Sequence, residues 1–139
     1  MTTMEEGAGG YRIGAKEIDA VLCRDAAVRY DYFVKRVADW EEVWSLRNAG
    51  GWVAAATDTG QEVLPFWPFA AFAQRSATGP WADTAPAPIA LEAFLARWLP
   101  GMAADGRLAC VLPTGADRGA TVDPLQLKAD IEAEQEQLQ

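Results

Sequence analysis

Between Val43 and Trp67 the chain reads VWSLRNAGGWVAAATDTGQEVLPFW, an apolar stretch broken twice by glycine-bearing turns and flanked by segments of helical periodicity. No other run is long enough and β-like enough to give those helices an apolar surface, so it constrains everything else. Val43 to Asn48 alternates, which puts Trp44 and Leu46 on one face of a strand. Asn48-Ala49-Gly50-Gly51 supplies the positive φ values of a hairpin turn, and Trp52 to Thr57 is expected to return as the next strand. Ala54, Ala55 and Ala56 are weak strand formers, yet small enough to let something large lie against them. Asp58-Thr59-Gly60 is a second turn, and Gln61 to Phe66 completes an antiparallel meander stopped by Pro65 and Pro68, which lack ladder donors.

The flanks are helical. Ala15 to Leu22 places Ile18, Val21 and Leu22 on one side. Asp25 is positioned as the N-cap of a longer helix, Ala26 to Asp39, whose Tyr30, Phe33, Val34 and Val37 form an apolar stripe. Arg29, Asp31, Lys35 and Arg36 are read as a solvated face. Pro68 is expected to open a short helix with Phe69, Phe72 and Ala73 on one face, and Ala77 to Pro88 reads as a loop holding Trp81. Leu91, Phe94, Leu95, Trp98, Leu99 and Met102 give the clearest helical pattern, which Pro100 breaks or kinks. Arg107 to Pro113 suits one buried strand paired with the central sheet, with a short companion at Ala120 to Val122. Asp123-Pro124 starts a last, acidic helix with Leu127, Ile131 and Leu138 on a thin stripe. The expected architecture is therefore α+β: helices on a central antiparallel sheet made from the meander and one later strand. Residues 1–14, rich in glycine, read as a flexible leader and residues 15–139 as a single domain.

Charge and composition narrow the function. A net charge of -8 opposes phosphate backbones and anionic membrane surfaces, so neither nucleic acid nor membrane is an expected partner. Acidity suits solubility, or a basic protein partner. No segment approaches the roughly 18 apolar residues of a membrane span, and MTTMEEGAGG has neither the basic start nor the apolar run of a signal peptide. Cys23 and Cys110 lie far apart among apolar or small neighbours and are expected to be buried thiols in a cytoplasmic protein.

The sequence contains no histidine, which removes Ser-His-Asp and Cys-His arrangements, imidazole proton transfer and most zinc sites. Two cysteines do not make an all-thiolate zinc site, and no calcium-loop pattern is present. No catalytic residue, metal or cofactor site is therefore expected. Glu41-Glu42 and Asp83 are the acids to inspect, because each adjoins a tryptophan whose bulk can desolvate a carboxyl group. The 6 tryptophans are the remaining signal, since indole combines apolar area with a donor and is enriched at interfaces. Phe66, Trp67, Phe69 and Trp81 are the candidate interaction surface. Trp44, Trp52, Glu42 and Asp83 are the candidate lining of a pocket that Trp67 and Trp81 would help to wall.

RYDYFVKRVADWEEVWSL, then Gly51-Trp52, then GQEVLPFWP from Gly60 to Pro68, then FLARWLPGM from Phe94 to Met102 resembles the bacterial family called domain of unknown function 2750. The resemblance covers roughly Ala15 to Glu134. It implies a compact α+β domain of bacterial origin and brings no activity and no catalytic residues with it. Two specific functions stay open on the residues alone, beside the least specific possibility of a stable housekeeping domain whose oligomerisation is its only evident interaction. One is a non-enzymatic protein-binding module, in a concrete version an immunity-type protein that occludes a basic toxin domain. The other is a small-ligand binder or histidine-free enzyme with an aromatic-lined pocket.

Overall fold

Asp25 turns the chain into its first long helix. Its carboxylate accepts the Val28 backbone N–H at 3.0 Å, satisfying an orphan donor at the start of α2 (Ala26–Trp40), which follows α1 (Ala15–Leu22). The computed structural model describes residues 14–114 and 119–138, so the leader expected over residues 1–14 lies outside the described residues except for Gly14. The α2 stripe is as expected: Phe33, Val34 and Val37 are buried and Tyr30 is partly so. Two tyrosines on its flanks tie neighbouring helices. Tyr32 donates to Glu17 of α1 at 2.7 Å, and Tyr30 donates to Asp130 of α6 (Pro124–Gln137), itself N-capped by Asp123.

Arg29 departs from the expected solvated face and is buried, at 1% exposure. It precedes Phe33 and Val37 by one and two helical turns, which places it on the apolar face. Its long stem packs there while Nε donates to the Leu112 carbonyl at 3.1 Å and a terminal nitrogen donates to the Arg24 carbonyl.

β1 (Glu42–Asn48) and β2 (Gly51–Trp52) form the expected hairpin, with Arg47 opposite Trp52 and the Asn48 side chain accepting the Gly50 N–H at 2.8 Å. The return strand is divided, however. After Val53, whose N–H still bonds Leu46, the chain turns away, and β3 (Ala55–Ala56) pairs antiparallel with β4 (Glu62–Phe66) in a second sheet. The sheets run β2-β1-β5 and β3-β4-β6-β7. They meet where Trp44 and Trp67 exchange both backbone hydrogen bonds, each 2.8 Å. Past that bridge the 51–57 segment pairs first with β1, through β2, and then with β4, through β3. The fold is α+β, with antiparallel pairing through most of the sheet and helices flanking it. One pairing differs: β6 (Leu108–Val111) lies parallel to β4, and β7 (Ala120–Val122) returns antiparallel beside it.

Pro65 fits inside β4 because Phe66, which accepts the Leu112 N–H, turns its polar groups toward β6. By alternation Pro65 faces the other edge, where Ser45 Oγ donates to its carbonyl at 2.7 Å. The same parity explains β5 (Ala85–Ala90), which occupies residues expected to be loop. Pro86 and Pro88 sit opposite Leu46 and Trp44, positions whose polar groups point away from β5. The missing donors therefore fall on the outer edge, and the ladder to β1 loses nothing.

After β5 the chain is helical from Leu91 to Ala104, as α4 (Leu91–Ala93), a wide turn at Phe94–Trp98, and α5 (Leu99–Ala104). Leu99 N–H bonds the Phe94 carbonyl five residues back. Placed just before Pro100, that widened turn takes the preceding carbonyls out of the ring's path, so the helix passes through the proline instead of breaking. Between Phe69 and Ser76 lies α3 (Ala70–Arg75), which starts after Phe69 and not at Pro68. One apolar cluster, including Phe33, Leu46, Trp67, Phe94, Val111 and Ile131, joins helices and both sheets. Among the described residues no helix is long and apolar enough to cross a membrane.

Candidate functional site

Strand alternation divides the second sheet into two unlike faces. Leu64, Phe66, Ala109 and Val111 enter the core. Val63 and Pro65 of β4, Cys110 of β6 and Thr121 of β7 share the opposite face and floor a cleft of about 550 Å³. Arg75 to Trp81 forms one wall, Ala54 to Thr57 the second, and Pro113 with Thr114 the far rim.

Trp67 sets that geometry from beneath. Its indole N–H donates to the Pro113 carbonyl at 3.1 Å, which pins the rim. Its ring meets Trp81 edge-on, with centroids 6.3 Å apart, which seats the wall. Trp81 is also held by its own turn, Gly79–Trp81, where its N–H bonds the Thr78 carbonyl and Thr84 Oγ1 donates to the Trp81 carbonyl at 2.7 Å. Gly79 has φ 56, a conformation open to glycine at little cost. The rim is fixed at its base too. Leu112 is left-handed at φ 50 with its carbonyl on Arg29, and Gly119 lies so close that a Cβ there would stand 2.2 Å from the Val111 oxygen.

Chemically the cleft is an apolar floor with a hydroxyl-bearing margin of Thr57, Ser76, Thr78, Thr114 and Thr121. Arg75 is the one charged residue among the described residues that line it, and it pairs with Asp19 at 2.9 Å near the surface. No carboxylate is among the described lining residues. Among the described residues no group of three or more His, Cys, Asp or Glu is arranged to hold a metal ion.

The family model described as protein of unknown function (DUF2750) matches residues 30–131, well over half the chain and every one of the strands. The chain belongs to the DUF2750 family. Neither the curated proteins nor the solved structures yield a match. The cleft lies wholly inside the matched DUF2750 region, whereas α1 and its Asp19 lie before it.

Within the DUF2750 fold the tryptophans are distributed differently from the sequence expectation. Phe66 and Trp67 are fully buried and Phe69 is at 3% exposure, so they belong to the core and not to an exposed patch: Phe66 packs on Phe94 and Trp98, Phe69 on Phe72 and Trp67 on Trp81, and of the four Trp81 alone is half-buried. Trp44, Trp52, Glu42 and Asp83 do not gather around one pocket with Trp67 and Trp81. Trp44 closes the bridge between the sheets with its backbone, while its side chain hydrogen-bonds Glu42. Trp52 stands edge-on to Trp98 with centroids 5.0 Å apart, under Arg47, and lines a separate, shallower groove with Leu64 and Met102. Asp83 is exposed and accepts from the Asn48 side chain at 3.2 Å. Glu42 is raised above the ordinary carboxylate range by partial burial, which the Trp44 side chain partly offsets by favouring the charged form. It lines neither groove.

Cys110 is buried as expected, whereas Cys23 is exposed at the end of α1, and no disulfide joins them. Sequence reasoning missed Arg75 and the hydroxyl margin. The available signal was the period-2 pattern of Val63-Leu64-Pro65-Phe66, whose alternate residues define a second face that needs a cover.

Proposed function

We propose that this DUF2750 domain acts by binding, and that a small molecule seated in the cleft over β4, β6 and β7 is its ligand. The observation that carries this reading is the cleft itself: about 550 Å³, with an apolar floor, a margin of hydroxyls and the guanidinium of Arg75, is the size and character of a small-molecule site. The absence of histidine from the chain supports binding over bond-making. A neutral naphthyl alcohol serves as a first probe. Its amide shift changes should cluster on Val63, Cys110, Thr121 and the Thr78 to Trp81 wall, and Thr121→Trp, which fills the cleft, should abolish them. Changes scattered over the surface, or none at millimolar probe, overturn the assignment.

A second reading, a basic protein partner such as a toxin domain held by an immunity-type protein, is favoured by a different place. The C-terminal ends of α2 and α6 lie together at a groove lined by Ala38, Asp39, Glu41, Gln135 and Leu138, and neither helix has a basic residue in its last turn. Two negative helix ends and two carboxylates thus face solvent beside Trp40, which is 45% exposed. An arginine-rich helical peptide that shifts Trp40 fluorescence, with affinity falling as salt rises, supports it; absence of binding at low salt refutes it. Either reading is compatible with a cytoplasmic protein.

A further inference from the structure

We propose that the ligand of the cleft is an amphiphilic organic anion, with an apolar body about the size of two fused rings on the sheet and a carboxylate on Arg75. This rests on the cleft being a ligand site, as argued above.

The charge pattern of the lining sets the class of ligand. The chain carries 20 acidic and 12 basic residues, yet among the described residues no acid and one base line this cleft. From the described lining an anion meets no like charge, and a cation meets a guanidinium. Val63, Pro65 and Cys110 present carbon and sulfur, so the part of the ligand that lies on the floor must be apolar. Hydroxyls line several sides of the cleft, but the guanidinium stands on one wall, where Arg75 is followed by Ser76 and Thr78, donors suited to carboxylate oxygens.

Arg75 is already engaged, and the nature of that engagement favours exchange. Its Nη1 is 2.9 Å from Asp19 Oδ1, with the two side chains 44% and 65% exposed. An ion pair this open is screened by water and weakly held. A ligand carboxylate fixed by its apolar body has paid most of its entropy on seating and reaches the guanidinium from the drier side. Asp19 then acts as a competitor that keeps Arg75 paired while the cleft is empty.

The test uses three probes of matched length on the full chain: 1-naphthylacetate, 2-(1-naphthyl)ethanol and 2-(1-naphthyl)ethylammonium, titrated by calorimetry at low salt. The anion should bind about tenfold tighter than the alcohol, the gain of one charge-assisted contact, and the ammonium most weakly. Arg75→Gln should erase the anion's advantage and leave the alcohol unchanged. Asp19→Asn should strengthen the anion severalfold and leave the alcohol unchanged, an effect that a purely structural Asp19–Arg75 pair would not produce. Equal affinity for anion and alcohol in the natural chain overturns the inference while the cleft remains a ligand site. So does an anion advantage that survives Arg75→Gln. Failure of all three probes removes the cleft reading itself.

Discussion

Trp67 makes three unrelated contacts from one residue: its backbone closes the bridge to Trp44, its indole N–H holds Pro113, and its ring seats Trp81. The rim it pins depends on Gly119, where both φ 73 and a Val111 oxygen at 2.2 Å from any Cβ exclude a side chain. Gly119→Ala should cost at least about 2 kcal/mol, from left-handed strain plus displaced backbone, read as a lowered denaturation midpoint. A variant as stable as the natural chain would mean that the close approach is not as drawn. Glu42 makes a prediction of the opposite sign. Burial raises its carboxyl above 4.5, so the folded chain holds that proton more tightly than the unfolded chain does. Its contribution therefore makes stability fall as pH climbs from 4.5 to the raised folded value, and the deficit persists above that window. Glu42→Gln should raise the melting temperature at neutral pH and flatten its pH dependence just above 4.5, with the two proteins converging below it. Parallel profiles throughout would contradict this.

At the level of elements, local chemistry was readable where a side chain bonds its own neighbourhood. Asp25 is such a case, its carboxylate closing on Val28 three residues on, and Asp25→Ala should cost about 1 kcal/mol in urea unfolding. A shift below the error of the midpoint would show that water caps the helix equally well. The elements misread are those whose form depends on a distant partner. APAPIA is discouraging as a strand until β1 shows which edge each proline faces, although prolines spaced by two are themselves an edge-strand signature. Pro100 looks like a helix end until the wide turn at Phe94–Trp98 is seen, and that turn is stabilised by burying Phe94 and by Trp98 against Phe66 and Trp52. Arg29 reads as solvated because arginine usually is, and the carbonyl that draws it inward belongs to Leu112, 83 residues away.

In the whole molecule one apolar cluster spans both sheets and the helices that cover them, so the two sheets should not melt separately. Tryptophan fluorescence, which reports the joint, and far-UV circular dichroism, which reports the helices, should give coincident unfolding curves. Two resolved transitions would show that the Trp44–Trp67 bridge joins independent units. The amino-acid order alone determined the α+β class, the helices that cap and bury themselves locally, the turns at Gly51 and Gly60, and the exclusion of imidazole chemistry, because each depends on residues within a few positions of one another or on composition. The tertiary structure decided where the return strand divides, that β6 runs parallel to β4, which aromatic residues are buried, and that Val63, Cys110, Thr121 and Arg75 border one cleft. Those outcomes depend on which surfaces meet after the chain has crossed itself, and pairing energies between segments tens of residues apart leave no periodic mark in either segment.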